Sequence, residues 1–124
     1  MALTQHQSIP VRFQQQVDNA KTYLIPFIEE ALPIKEGMQV MEIGCGEGGV
    51  LKPFIERGCQ VLGVDLSEGR IERAKSFLEE DVKARKAHFV AQNVYDEEFR
   101  TAHQQKFDLI LLKDTIEHIP EQEK

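Results

Sequence analysis

The stretch VMEIGCGEGG, residues 40–49, is the part of this sequence that decides its fold. A short apolar strand pattern carries an acid, Glu42, near its end and then gives way to closely spaced glycines. Glycine allows sharp backbone turns and lets a ligand approach where a Cβ would otherwise stand. An acid directly before the glycines favours a ligand with a cationic or hydroxyl-rich part. The stretch therefore predicts a strand, a ligand-binding turn and the start of a helix.

The composition is that of one globular domain without a strongly basic surface. The chain has 124 residues, 41% of them hydrophobic and 29% charged, and its net charge is −6. Such a balance argues against nucleic acid as a partner. The polar N-terminus has no signal-peptide core, and no apolar run approaches membrane-spanning length. Cys45 and Cys59 fit neither a disulfide framework nor a metal knuckle, so reduced thiols and a cytoplasmic location are expected.

The periodicity predicts strands that alternate with helices. Helical spacing extends from Ser8 to Leu32, where Pro26 is expected to split or kink the helix. A short helix follows the glycines, Ser67 can cap a longer one, and residues 93–105 are predicted to be mostly irregular. The predicted strands span residues 38–43, 60–65, 87–92 and 107–112. This order predicts an α/β fold with a mainly parallel sheet, made of a helical region, 1–36, and a core, 37–124.

Ligands of such sheets bind beyond the carboxyl ends of the strands. Asp65 ends the second strand about 20 residues after the glycines, where nucleotide-binding folds place a ribose-binding acid. Gly44-x-Gly46-x-x-Gly49 also satisfies the dinucleotide fingerprint. An NAD(P)-binding oxidoreductase domain therefore stays open as an alternative, as does a tight turn that binds no ligand.

Two segments resemble motifs of one enzyme family. Glu42-x-Gly44-x-Gly46-x-Gly48 resembles the first motif of class I S-adenosylmethionine-dependent methyltransferases, and residues 107–120 resemble their fourth-strand motif, in which Glu-His follows an apolar strand. The helical region before the first strand also fits. The resemblance covers residues 37–120. It implies a Rossmann-like, three-layer αβα fold and methyl transfer to a small-molecule acceptor.

The resemblance assigns the methionine and ribose parts of the cofactor to the glycine motif and to Asp65 at the end of the second strand. The backbone of Gly44, Cys45 and Gly46 would line both parts. Glu42 would face the ammonium group, and Asp65 would hold the ribose hydroxyls.

The adenine and the far side of the methionine are assigned to four further residues. Leu66 would pack on the adenine, and Val94 would offer its backbone amide to it. Asn93, where many members have an aspartate, would accept from the adenine amino group through its side-chain oxygen. The backbone of Lys113 would touch the methionine part.

The segment after the fourth strand contains three residues that could bind a metal ion or act on the acceptor. In one subset of the family, which includes quinone-pathway O-methyltransferases, a trio similar to Asp114, Glu117 and His118 serves a divalent metal or the acceptor. Asp114 stands here in place of the more usual glutamate. Carboxylates and an imidazole could hold Mg²⁺ or Zn²⁺, and His118 is the candidate catalytic residue. The alternative is a polar loop that opens a helix.

Four strands are predicted, whereas family members usually have seven. We therefore expect an incomplete, N-terminal portion of the domain that binds the cofactor weakly and transfers methyl groups poorly. The fourth strand would lie at an open sheet edge, and such edges pair with other chains. A homo-oligomer formed through this edge, or a non-catalytic interaction module, is the corresponding expectation.

Overall fold

The computed structural model describes residues 2–102 and 107–112. Four parallel strands form one sheet: β1, Gln39–Ile43; β2, Gln60–Asp65; β3, Ala87–Ala91; and β4, Leu109–Leu111. Their order is β3-β2-β1-β4, so β4 lies at one edge of the described sheet. The predicted parallel α/β fold is confirmed, and all four strands lie within the predicted ranges.

The N-terminal helical region is longer and more continuous than predicted. Helix α1, Ala2–Asn19, passes through one π-helical turn, Ala20–Leu24, into α2, Ile25–Glu29. Within that turn the Ile25 N–H donates to Ala20 O, five residues earlier. Pro26 has no N–H to donate, and the widened turn directly before it lets the helix continue without a break. The predicted start at Ser8 was six residues late, because residues 2–7 lack the apolar spacing that marks the rest of the helix.

The glycine loop leads into a short helical segment and then into β2. A 3₁₀ turn, Gly49–Leu51, continues into α3, Lys52–Glu56, with Pro53 in its first turn as expected. After β2, Ser67 caps α4, Glu68–Phe77, by accepting from the Arg70 N–H at 3.2 Å. A second short helix, α5, spans Glu79–Lys83.

The two faces of the sheet pack against different helices. Residues on one face of β1, β2 and β3, among them Val40, Val61 and Phe89, join a large core with α1, α3 and α4. On the other face, Met41, Leu62 and Val64 pack against Phe99. Alternate strand residues point to opposite faces, so both faces acquire apolar layers.

Phe99 belongs to a helix that the sequence interpretation missed. Helix α6, Glu97–Ala102, lies within residues 93–105, which were predicted to be irregular. This prediction was wrong because a six-residue helix anchored by one buried phenylalanine has no apolar period to detect. Helices therefore flank both faces of the sheet, as in a three-layer arrangement. In residues 2–102 and 107–112, no helix is long and apolar enough to cross a membrane.

Candidate functional site

The glycine loop adopts a backbone that requires glycine. Gly44, Gly46 and Gly48 have φ angles of +78°, +56° and +88°. Side chains with a Cβ rarely occupy this left-handed region, so these three positions are fixed by conformation. The loop leaves the carboxyl end of β1, which is central in the sheet, and faces the end of β2.

Four amides of this loop are bonded inside the protein. The Gly44 and Cys45 N–H groups donate to Val64 O at 2.8 and 3.0 Å, and the Gly46 N–H donates to Asp65 Oδ2 at 2.9 Å. The Gly48 N–H donates to Cys45 O at 3.0 Å. A dinucleotide loop instead points its amides at a pyrophosphate. The local geometry therefore does not match the phosphate cradle that the glycine spacing alone allows.

Gly49, the third glycine of the dinucleotide fingerprint, serves helix packing. A Cβ at this position would lie 2.7 Å from the backbone oxygen of Phe13 and 2.7 Å from Gln16 Cβ. Helix α1 therefore lies directly over the end of the loop. The glycine at 49 permits this close approach, which explains its presence without a ligand.

Three acids are buried around the loop. Among the described residues, the buried charged side chains are Glu42, Glu47 and Asp65, with 2%, 5% and 9% of their surface exposed. Glu47 is paired with Arg73, so Glu42 and Asp65 are the acids that favour a cation or a hydroxyl donor over an anionic ligand. Both the acidic side chains and the inward-directed amides therefore disfavour an anionic ligand at this loop.

Asp65 joins the loop to the start of α4. Its Oδ2 accepts from the Gly46 N–H, and its Oδ1 accepts from the Ser67 N–H at 2.9 Å. Arg70 Nη1 lies 4.0 Å from Oδ2. Each carboxylate oxygen has two lone pairs, so acceptor capacity remains after these bonds. The neighbouring Leu66 is 75% exposed and offers an apolar surface beside this acid.

The turn after β3 lies next to the end of β2, since the Gln92 N–H donates to Asp65 O at 3.1 Å. Asn93 is exposed, and its Oδ1 accepts from the Tyr95 N–H at 2.9 Å, an Asx turn that leaves one lone pair of that oxygen. Val94 is half-buried against the core on the second face. The structure thus brings Asp65, Asn93 and Val94 to the same end of the sheet as the glycine loop.

The remaining predicted residues lie outside the described part of the chain: Lys113, Asp114, Glu117 and His118. Among residues 2–102 and 107–112, no group of three or more His, Cys, Asp or Glu side chains is arranged to hold a metal ion.

The sequence interpretation missed the role of Glu47. Its Oε2 accepts from Arg73 Nε at 3.0 Å, and Arg12 Nη2 lies 3.9 Å from the same oxygen. One loop residue is thereby joined to both α4 and α1. A long charged side chain between two glycines was the only feature of the sequence that could have indicated it.

Comparison with known proteins gives a consistent result. A family model described as a methyltransferase domain matches residues 13–124. The chain is 35% identical over 92 residues to the ubiquinone biosynthesis O-methyltransferase of Rhodopseudomonas palustris (strain TIE-1), covering 73% of this chain and 33% of that protein. It spans 30–40% of the length of the curated relatives that it matches here.

Solved structures show the same fold. The magnesium protoporphyrin IX methyltransferase of Synechocystis PCC 6803, solved with bound SAH, aligns with a TM-score of 0.57 over 86% of this chain and 44% of that one, at 24% identity. PKMT2 from Rickettsia typhi, in complex with AdoHcy, aligns with a TM-score of 0.52 over 65% of this chain and 15% of that one, at 34% identity.

Proposed function

Since the chain belongs to the class I S-adenosylmethionine-dependent methyltransferases, we propose that its glycine loop binds S-adenosylmethionine and that the whole protein methylates a small molecule. The name of the Rhodopseudomonas relative supports an oxygen atom as the acceptor. The AdoHcy in the Rickettsia structure supports the choice of cofactor.

The observation that carries this proposal is the direction of the loop amides. The N–H groups of Gly44, Cys45 and Gly46 donate to Val64 and Asp65, and the charged side chains buried nearby are acids, two of which have arginine within 4.0 Å. S-adenosylmethionine has a sulfonium, an ammonium group and ribose hydroxyls at its core, whereas a dinucleotide has a pyrophosphate there. The donors and charges of this loop suit the former.

The residues present fit that cofactor. Asp65 keeps lone pairs for the ribose hydroxyls, and the exposed Leu66 suits contact with the adenine. Glu42 is buried at the end of β1 and suits the ammonium group. Asn93 and Val94 stay our candidates for the adenine edge.

Lys113, at the carboxyl end of the fourth-strand segment, stays our candidate for the methionine part.

When bound, the cofactor supplies an electrophilic methyl group on its sulfonium. The work of the protein is to orient the acceptor and to exclude water, because positioning accounts for much of such a displacement. A base is needed only where the acceptor must lose a proton, and His118 is our candidate. A divalent ion on Asp114, Glu117 and His118 is part of the same proposal and would orient the acceptor oxygen.

We also propose that the protein works in the cytoplasm. Cys45 and Cys59 are both buried thiols. Thiols that persist in this form are typical of a reducing compartment.

The test is calorimetric titration of the chain with S-adenosylhomocysteine and with NAD. We expect binding of the former, and an Asp65→Asn variant should weaken it about tenfold, because Asn offers one acceptor oxygen in place of two. Asp18→Asn is the matched control, since Asp18 is an exposed acid on α1 whose Oδ1 accepts from Gln14 Nε2. Binding of NAD together with no heat from S-adenosylhomocysteine would refute the proposed function.

A further inference from the structure

Glu47 is the one residue with a long side chain between the glycines of the loop. Its carboxylate is almost fully buried, and its Oε2 lies 3.0 Å from Arg73 Nε and 3.9 Å from Arg12 Nη2. A buried carboxylate requires such partners, because an unpaired charge of low exposure is strongly unfavourable. The guanidinium group is suited to this role because its donors are held in a rigid plane.

The pair connects the loop to the helix that follows the ribose-side acid. Arg73 lies on α4, which starts directly after Asp65 and Ser67. The residue before Glu47 is Gly46, whose N–H donates to Asp65. Side chain and backbone therefore hold two successive loop residues against the same strand–helix junction.

This matters because a glycine-rich loop has unusual conformational freedom. Gly46 and Gly48, on either side of Glu47, both have positive φ angles and would sample many conformations without a tether. A ligand that binds a mobile loop loses affinity to the ordering of that loop. A tether that fixes the loop beforehand removes this loss.

We propose that the Arg73–Glu47 ion pair is a positioning device that keeps the glycine loop in the shape that binds the cofactor. Its effect on S-adenosylmethionine rests on the proposed function, whereas its effect on loop order does not. Neither residue is a catalytic residue, since both act through the backbone of Gly46.

Helix α1 reinforces the same tether. Phe13 stacks on Phe77 of α4 with ring centroids 4.4 Å apart, and its backbone oxygen closely approaches Gly49. Arg12, next to Phe13, thereby reaches the same Glu47 oxygen as Arg73. The loop is thus held between α4 and α1.

The test compares Arg73→Met with a matched control, Arg57→Met. Arg57 Nη1 lies 2.9 Å from Glu29 Oε2, so this pair also joins two helical segments through arginine and glutamate, but away from the loop. The measurements are hydrogen exchange of the Gly46 amide and calorimetric affinity for S-adenosylhomocysteine. The free energy of global unfolding is measured by urea unfolding for each variant, so that amide exchange rates can be compared between variants of equal stability.

We expect Arg73→Met to speed exchange at Gly46 about tenfold and to weaken the affinity about tenfold, the scale of one charge-assisted hydrogen bond. Arg57→Met should leave both unchanged. Arg73→Lys should recover part of each loss, because it restores the cation without the planar donors. The double variant Glu47→Gln/Arg73→Met should lose little more affinity and exchange protection than Arg73→Met alone, because the two residues act as one unit.

Unchanged exchange at Gly46 in Arg73→Met would overturn the proposal, as would equal losses in Arg57→Met. If the parent chain does not bind S-adenosylhomocysteine, the proposed function fails. The exchange result still decides the positioning role.

Discussion

Replacing Gly63 by alanine should destabilise the fold at the point where the sheet supports the glycine loop. Gly63 lies in β2, in register with Glu42 of β1 and Phe89 of β3. An added Cβ would lie 2.6 Å from Phe89 Cδ1 and 2.8 Å from Cys45 Sγ, whereas carbon atoms in contact are about 3.5–4.0 Å apart. Phe89 and Cys45 are both buried, so neither can turn into solvent.

The magnitude follows from two opposing effects. Overpacking a buried site costs about 1–3 kcal/mol, and the lower entropy of the unfolded chain with alanine returns about 0.4–1 kcal/mol. Taking the middle of each range, the net loss in the free energy of unfolding should be about 1.3 kcal/mol. Because the new methyl group pushes on Cys45 within the loop, the affinity for S-adenosylhomocysteine should fall as well.

The assay is urea unfolding followed by far-UV circular dichroism, with Gly69→Ala as the matched control. Gly69 lies in α4, and a Cβ there would have 3.7 Å to Arg73 Nη1 and 3.8 Å to Ser67 Oγ, which is ordinary contact. This variant should gain up to about 1 kcal/mol, since alanine favours helix. A Gly63→Ala chain as stable as the parent would refute the claim that Phe89 and Cys45 require glycine at this position.

Three further predictions concern other parts of the chain. Ser67→Ala removes the acceptor for the Arg70 N–H and should cost about 1 kcal/mol of unfolding free energy in the same assay; no change would contradict the capping role. Burial raises the pKa of the Cys59 thiol, with Arg57 opposing and Asp108 adding to the shift, so less thiolate forms. Maleimide labelling at pH 8, followed by mass spectrometry, should therefore be much slower in the folded chain than in urea, and equal rates would contradict this. If β4 pairs with a second copy at the sheet edge, light scattering should give twice the monomer mass. Ile110→Lys, at a half-exposed position on β4, should restore the monomer. A monomeric parent chain would contradict edge pairing.

The strands and the position of Asp65 could be predicted because they follow from local patterns. Short apolar runs bounded by polar or glycine residues mark the strands, and the parallel order brings their carboxyl ends to one edge of the sheet. The capping of α4 by Ser67 was predictable for the same reason, since a cap depends on residues three apart. The roles of Glu42 and Asn93 toward a cofactor stay predictions.

The features that could not be predicted depend on contacts across the fold. The π turn before Pro26 is one of several ways for a helix to accommodate a proline, and the sequence does not choose among them. Helix α6 is held by the packing of Phe99 on the far face of the sheet. The Glu47–Arg73 pair joins residues 26 positions apart, and neither residue has a pattern that names its partner.

The stack of Phe13 on Phe77 has a consequence for the order of events during synthesis. The two rings come from residues 64 positions apart, so α1 leaves the ribosome long before the surface on which it packs. Until Phe77 emerges, the Phe13 ring lacks this stacking partner, although α1 can already pack on residues 49–54. A chain stalled before residue 77 should therefore lack this ring contact, and α1 should be more open to protease than in the folded chain.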